Sequence, residues 1–171
     1  MRGGRRTRLE AYLKRLFGYA YSLTNDRDQS EDLVQECALK ALSAKRVPRD
    51  EPAYRAWLFR ILRNAFIDRV RHDKNLLRAM ETEPPDNLVE YFSGEERFVS
   101  VLAVKEEMKK LAPLHREIIA LIDIAGLRYG EAAESLGIPV GTVMSRISRA
   151  RATLLKAIGT SNGWPPLSGP V

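Results

Sequence analysis

The stretch Tyr129-Gly-Glu-Ala-Ala-Glu-Ser-Leu-Gly-Ile-Pro-Val-Gly-Thr-Val-Met-Ser-Arg-Ile-Ser-Arg-Ala-Arg151 holds two helical segments around a short turn. Two helices that cross steeply over so short a turn need a small side chain at the crossing, and Ala133 supplies one. The turn needs a residue that tolerates positive φ, and Gly137 supplies it. Pro139 stops the first helix from continuing. Beyond the turn, Val143, Ile147, Ala150 and Leu154 recur at intervals of four, three and four, which makes one buried face. Thr142, Ser145, Arg146 and Arg149 fall on the other side. A helix-turn-helix is predicted, with a second helix suited to the major groove and its N-terminal residues nearest the base edges. Arginine pairs bidentately with guanine there, and Ser or Thr contacts bases or phosphates. The plain alternative is an amphipathic helix with a solvated basic face. The small–turn–apolar pattern, together with the outward Arg pair, favours duplex DNA.

The rest of the 171-residue chain agrees with a polyanion partner. Its net charge is +6. The charge is divided as +7 over residues 1–75, −4 over 76–100 and +3 over 101–171, so two basic blocks flank an acidic one. This predicts two modules and a linker. Hydrophobic residues make up 44%, enough for packed cores. With the single cysteine, Cys37, no intrachain disulfide can form, and no Cys/His cluster suggests zinc. There is no apolar run of transmembrane length, and no apolar segment follows the basic Met1–Arg8 as a secretory signal requires. A cytoplasmic location without membrane insertion is expected.

Strand patterning is nearly absent, and the expected fold class is all-α: an N-terminal helical bundle and a C-terminal helix-turn-helix domain joined by a flexible acidic linker. The expected divisions are 1–75, a linker at 76–97, 98–158, and a Gly/Ser/Pro-rich flexible tail at 159–171. A first helix is predicted over Thr7 to Leu23, with Leu9, Leu13, Leu16, Phe17 and Ala20 on one face. A second begins near Asp28, where Asp28 and Glu31 have capping-box spacing. Its inner face is Leu33, Val34, Cys37, Ala38, Ala41 and Leu42. A third runs from about Ala53 to His72, with Tyr54, Trp57, Leu58, Ile61, Leu62 and Ala65 buried. Trp57 is therefore expected in the core, Phe59 is less settled, and Cys37 is read as core filler. His72 and His115 are isolated and lack ligand spacing.

Two outward faces of the first module stand out. Asp32, Gln35, Glu36 and Leu39 lie opposite the buried face of the second helix. An apolar residue amid acids suits a partner interface, although single exposed apolar residues are common on free surfaces. On the third helix, Arg60, Asn64, Asp68 and Arg71 form a stripe away from the core, with Arg63 beside it. Arginines pair with phosphates, and Asn64 can pair with a base edge or line a pocket for an extruded base. Asp68 repels phosphate; it either orients a neighbour, accepts from a base amine, or makes an i,i+3 ion pair with Arg71.

At these residues the chain resembles the extracytoplasmic function (ECF) sigma factors of bacterial RNA polymerase. Gly137-Ile-Pro-Val-Gly-Thr-Val-Met-Ser-Arg-Ile-Ser-Arg-Ala-Arg151 looks like their C-terminal domain. Asp28-Gln-Ser-Glu-Asp-Leu-Val-Gln-Glu36 is similar to their polymerase-binding helix, and Trp57-Leu-Phe-Arg-Ile-Leu-Arg-Asn-Ala-Phe-Ile-Asp-Arg-Val-Arg71 to their strand-opening segment. The resemblance spans about residues 9–158. It implies an initiation factor that binds core polymerase, at the clamp of the largest subunit and the flap of the second, and reads promoter DNA. It puts Thr142, Ser145, Arg146 and Arg149 on the −35 duplex, and Asp32, Gln35, Glu36 and Leu39 on the clamp. It puts Arg60, Arg63, Asn64, Asp68 and Arg71 at the −10 element, with Asn64 and Asp68 near a flipped base. Met144 departs from a position that is often basic in the family. An anti-sigma factor as inhibitor is a family-level expectation. For the acidic linker three readings stay open: a solvated tether, a mimic of RNA phosphates in the polymerase cleft, or a hinge that lets the domains pack together on an inhibitor.

Other functions fit less well. An ordinary repressor leaves the 28–36 motif and the Asn64 stripe unexplained. A sigma-like decoy predicts a degraded recognition helix or an added regulatory domain. No Ser/His/Asp set, phosphate loop or metal cluster suggests an enzyme, so no catalytic residue, cofactor or metal is expected.

Overall fold

Eight helices and one π-helical turn make up the described part of the chain; the computed structural model describes residues 2–80 and 99–161. The order is α1 (Arg2–Glu10), α2 (Leu13–Thr24), α3 (Arg27–Ser43), α4 (Glu51–Met80), α5 (Val99–Lys110), α6 (Pro113–Ile119), the π-helical turn (Ala120–Ile124), α7 (Tyr129–Leu136) and α8 (Val140–Ser161). The helices α1–α4 form one domain and α5–α8 the other. The acidic linker and the tail predicted from sequence lie largely outside the described residues. Helix α4 runs on to Met80, past the expected boundary at 75, and α8 runs to Ser161.

The predicted first helix is two. Tyr12 leaves the helical path between α1 and α2, and its own side chain is buried along with Leu9, Leu16, Tyr19 and Ala20. Arg8 ties α1 to the loop before α4 and to the start of α4. It donates to the carbonyls of Pro48, Arg49 and Asp50 at 2.9, 3.1 and 3.2 Å, pairs with Glu51 at 2.7 Å, and lies 3.8 Å over the Tyr54 ring. The cap of α3 also differs from expectation. Asp26, not Asp28, accepts from the Gln29 amide at 2.7 Å, because Asn25 turns the chain at φ +54° and leaves Asp26 extended.

Helix α4 is buried on two sides, since α3 packs on one face and α7 on another. This corrects the expectation for its aromatics. Phe59 is fully buried, 5.5 Å from the Tyr19 ring, whereas Trp57 is only partly buried, 5.7 Å from Tyr54. Leu42 also departs from the inner face of α3: it is 41% exposed. Cys37 is in the core as expected, its thiol 3.5 Å from the Leu58 carbonyl, and burial pushes its pKa up to about 12.

In the second domain, Pro113 opens α6, where its missing N–H is harmless. The π-helical turn that follows closes with the Ala125 amide on the Ala120 carbonyl at 2.8 Å. It presses against α2, where a Cβ added to Gly18 would come within 3.0 Å of Ile124 Cγ2. Gly18 is thus a point where the α2 backbone closely approaches the second domain.

Candidate nucleic-acid and polymerase interfaces

The helix-turn-helix forms as its residues dictate. Helix α7 ends at Gly137, whose φ is +67°, and whose amide donates to the Ala133 carbonyl. The Ile138 amide returns to the same carbonyl at 3.1 Å, and the Pro139 carbonyl receives the Thr142 and Val143 amides. Val143, Ile147 and Ala150 are buried and Leu154 packs against them. The face left outward carries half-buried Thr142 and Arg146 with exposed Ser145 and Arg149, and Met144 at 52% exposure. Among the described residues neither Arg146 nor Arg149 makes an ion pair. Arg151, next on the helix, is already held: its guanidinium is bidentate to Asp123 at 2.6 and 3.1 Å, which holds its pKa above the ordinary value. The face is therefore a rigid helix surface with two free guanidinium groups beside small hydroxyl and thioether side chains.

On α3, Asp32 and Gln35 are exposed, and Leu39 stands out at 70% exposure. Glu36 is partly engaged by Lys40 at 2.6 Å and Arg69 at 3.6 Å. Since Arg69 belongs to α4, it ties this face of α3 to the neighbouring helix. The result is an apolar side chain in an acidic surround, at the edge of which lies Leu42.

The α4 stripe divides in two. Asn64, Asp68 and Arg71 are exposed. Arg60 and Arg63 reach the second domain instead. Arg63 Nε donates to Glu117 Oε1 at 2.7 Å, and the Tyr19 hydroxyl donates to the same oxygen at 3.1 Å. Burial, and next the Glu117 charge, push the Tyr19 pKa well above its ordinary value. Arg60 Nη2 donates to the Glu134 carbonyl at 2.5 Å. Arg55, which the sequence reading did not single out, pairs with Glu131 at 2.6 Å. Glu117 and Glu131 are only 8% and 4% exposed. No local signal marks these acids, since their partners lie 54 and 76 positions away. A buried carboxylate must be paired, but its sequence does not say with what.

The described residues contain no group of His, Cys, Asp or Glu able to hold a metal ion, and no helix long and apolar enough to cross a membrane. Comparison with known proteins gives a consistent answer. The family profile for sigma-70 region 2 matches residues 9–75, and that for sigma-70 region 4 matches residues 102–154. The ECF RNA polymerase sigma factor SigC of Mycobacterium tuberculosis is 33% identical over 133 residues, covering 77% of this chain and 71% of that protein. The ECF RNA polymerase sigma factor EcfG of Rhodopseudomonas palustris is 33% identical over 145 residues, covering 81% and 76%. Among solved structures, the sigma factor RpoE in complex with the anti-sigma factor NepR, from Bartonella quintana, superposes with a TM-score of 0.73. The two are 29% identical, over 92% of this chain and 98% of that one. CnrH in complex with the cytosolic domain of CnrY superposes with a TM-score of 0.62 at 28% identity, over 94% and 89%.

Proposed function

Because the chain belongs to the ECF sigma factors of the sigma-70 family, we propose that it recruits core RNA polymerase to a particular set of promoters and helps open them. In this reading Thr142, Ser145, Arg146 and Arg149 read the −35 element as duplex. The α4 stripe of Arg60, Arg63, Asn64, Asp68 and Arg71 engages the −10 element and the strand that leaves the duplex. Asp32, Gln35, Glu36 and Leu39 dock on the clamp of the largest polymerase subunit, and the second domain meets the flap of the other large subunit. The protein does no chemistry itself; its binding energy is lent to the polymerase. Captured unpaired bases supply part of that energy, about 1–3 kcal/mol for each base stacked. Its place of action is the cytoplasm.

The observation that carries the reading is the presence of Arg146 and Arg149, without an ion pair among the described residues, on a helix whose opposite face is locked into the core. An inhibitor of the anti-sigma class belongs to the same proposal, because one structure that superposes on this chain is a sigma factor in complex with an anti-sigma factor. The test is reconstitution. The protein is mixed with core polymerase and a library of promoter fragments, and transcripts are scored. Promoter-dependent initiation is expected. Absence of both initiation and polymerase retention refutes the proposal.

A further inference from the structure

The residues of a recognition helix that come nearest base edges are those of its N-terminal turn. In α8 that turn is Val140-Gly-Thr-Val-Met-Ser145, which carries no charge and only two hydroxyls. Val143 is buried, Thr142 is half-buried and Gly141 has no side chain. The Ser145 hydroxyl folds back and donates to the Thr142 carbonyl at 3.1 Å. The large side chains left standing out from the turn are apolar: Val140 is 44% exposed and Met144 52%. Four residues apart, they share one side of the helix. Arg146 and Arg149 come later along it.

Valine has no polar side-chain atom, and the methionine thioether is a weak acceptor at best. This pair therefore cannot read the donors and acceptors of a base edge as an arginine does. What it can read is apolar surface. Among the four bases only thymine puts an apolar group into the major groove, its C5 methyl. Methionine is unbranched and polarisable, so its end adapts to a small apolar neighbour. At 1.5 Å of rise per residue the two side chains leave the helix about 6 Å apart, less than two base-pair steps of 3.4 Å. They cover one thymine or two neighbouring ones.

We propose that Met144, with Val140 beside it, reads the methyl group of a thymine in the −35 element, so that the promoters this chain serves carry a thymine, on one strand or the other, where this turn meets the groove. The inference rests on the proposed −35 role of α8 and adds a base preference to it. Taking one methyl group out of water against Met144 favours thymine over uracil about fourfold.

The test uses the full chain bound to core polymerase. This complex first selects fragments from a pool randomised across the −35 element. Each thymine of the selected element, on either strand, is then replaced singly by deoxyuridine, which removes the methyl group and leaves the base pairing intact. Wild type is expected to lose affinity about fourfold at one position or at two neighbouring ones. Met144→Ala, whose substituted side chain is exposed and outside the core, should keep the wild-type melting temperature and bind thymine and deoxyuridine alike at those positions. Two results overturn the proposal: a selected element in which no thymine is sensitive to loss of its methyl, and a methyl preference that Met144→Ala retains. Should that retained preference come with weaker polymerase binding, this side of α8 is a polymerase contact instead. Failure of the sigma reading looks different, because the complex then selects no −35 sequence at all, and this inference falls with it.

Discussion

Glu131 serves Arg55 with one carboxylate oxygen and the backbone of its own helix with the other: Oε1 receives the Arg55 guanidinium at 2.6 Å, and Oε2 receives the Arg128 amide at 2.8 Å. The residue that caps the first helix of the helix-turn-helix therefore also fastens it to the N-terminal domain. Removing Arg55 leaves a carboxylate that is 4% exposed with half its partners. Arg55→Met should destabilise the chain by about 2–3 kcal/mol, near the low end for a broken buried pair because Arg55 keeps some solvent. A double-mutant cycle with Glu131→Gln, followed by urea denaturation, should return a coupling of about 1–3 kcal/mol. Additive effects would mean that the two side chains act independently.

Arg149 is exposed on α8 and makes no ion pair among the described residues, so its loss should leave stability nearly unchanged. If it pairs with a guanine of the −35 element, Arg149→Ala lowers discrimination at one base position by about 1–3 kcal/mol. Affinity measured against single-base variants of a −35 fragment checks this. A small, uniform loss on every sequence would make it a phosphate contact.

Leu39 offers a similar separation of binding from folding. At 70% exposure it contributes little to the core. Burying a leucine against a partner is worth about 1.5–3 kcal/mol, so Leu39→Asp should weaken polymerase binding about tenfold or more at an unchanged melting temperature. Unchanged polymerase affinity would remove Leu39 from the interface.

Where the signal is local, the sequence is readable. The outward and inward faces of α8 follow from residues three and four apart, and Gly137 follows from the need for a left-handed residue after α7. The break between α1 and α2 is hidden, because Leu9, Leu13, Leu16 and Ala20 keep helical spacing straight through it. Phe59 is hidden for another reason: the side of α4 it occupies is covered by Tyr19 on α2, and nothing near Phe59 in the chain announces that cover. The same holds for Arg60 and Arg63. Their exposed-looking stripe is correct for α4 alone and changes once the second domain packs against it.

Gly137 gives a prediction about the turn itself. Its φ of +67° suits glycine, and a Cβ there meets nothing within 4 Å, so strain is the only penalty for a side chain. Gly137→Ala should cost about 1–2 kcal/mol in thermal or urea unfolding. Gly137→Asn should cost less, since asparagine tolerates the left-handed region. Equal effects would point to a hidden clash rather than backbone strain.

The acid limb of the stability profile should carry the mark of Glu51. Tyr12 and then Arg8 donate to this carboxylate and hold its pKa below the ordinary 4.5. A carboxyl depressed in the folded state binds its proton more readily when unfolded. Its contribution is therefore present above pH 4.5 and is lost as the pH falls through the lowered folded value. The stability advantage of wild type over Glu51→Gln, measured by urea denaturation from pH 7 to pH 3, should shrink across that window. Tyr12 predicts the opposite limb. Burial, and then Glu51, raises its pKa from 10.0 to about 12. Its contribution is whole below pH 10 and fades as the pH rises towards 12, so the gap between wild type and Tyr12→Phe should close there. A gap that stays constant across both windows would show that neither group is tied to folding through this contact.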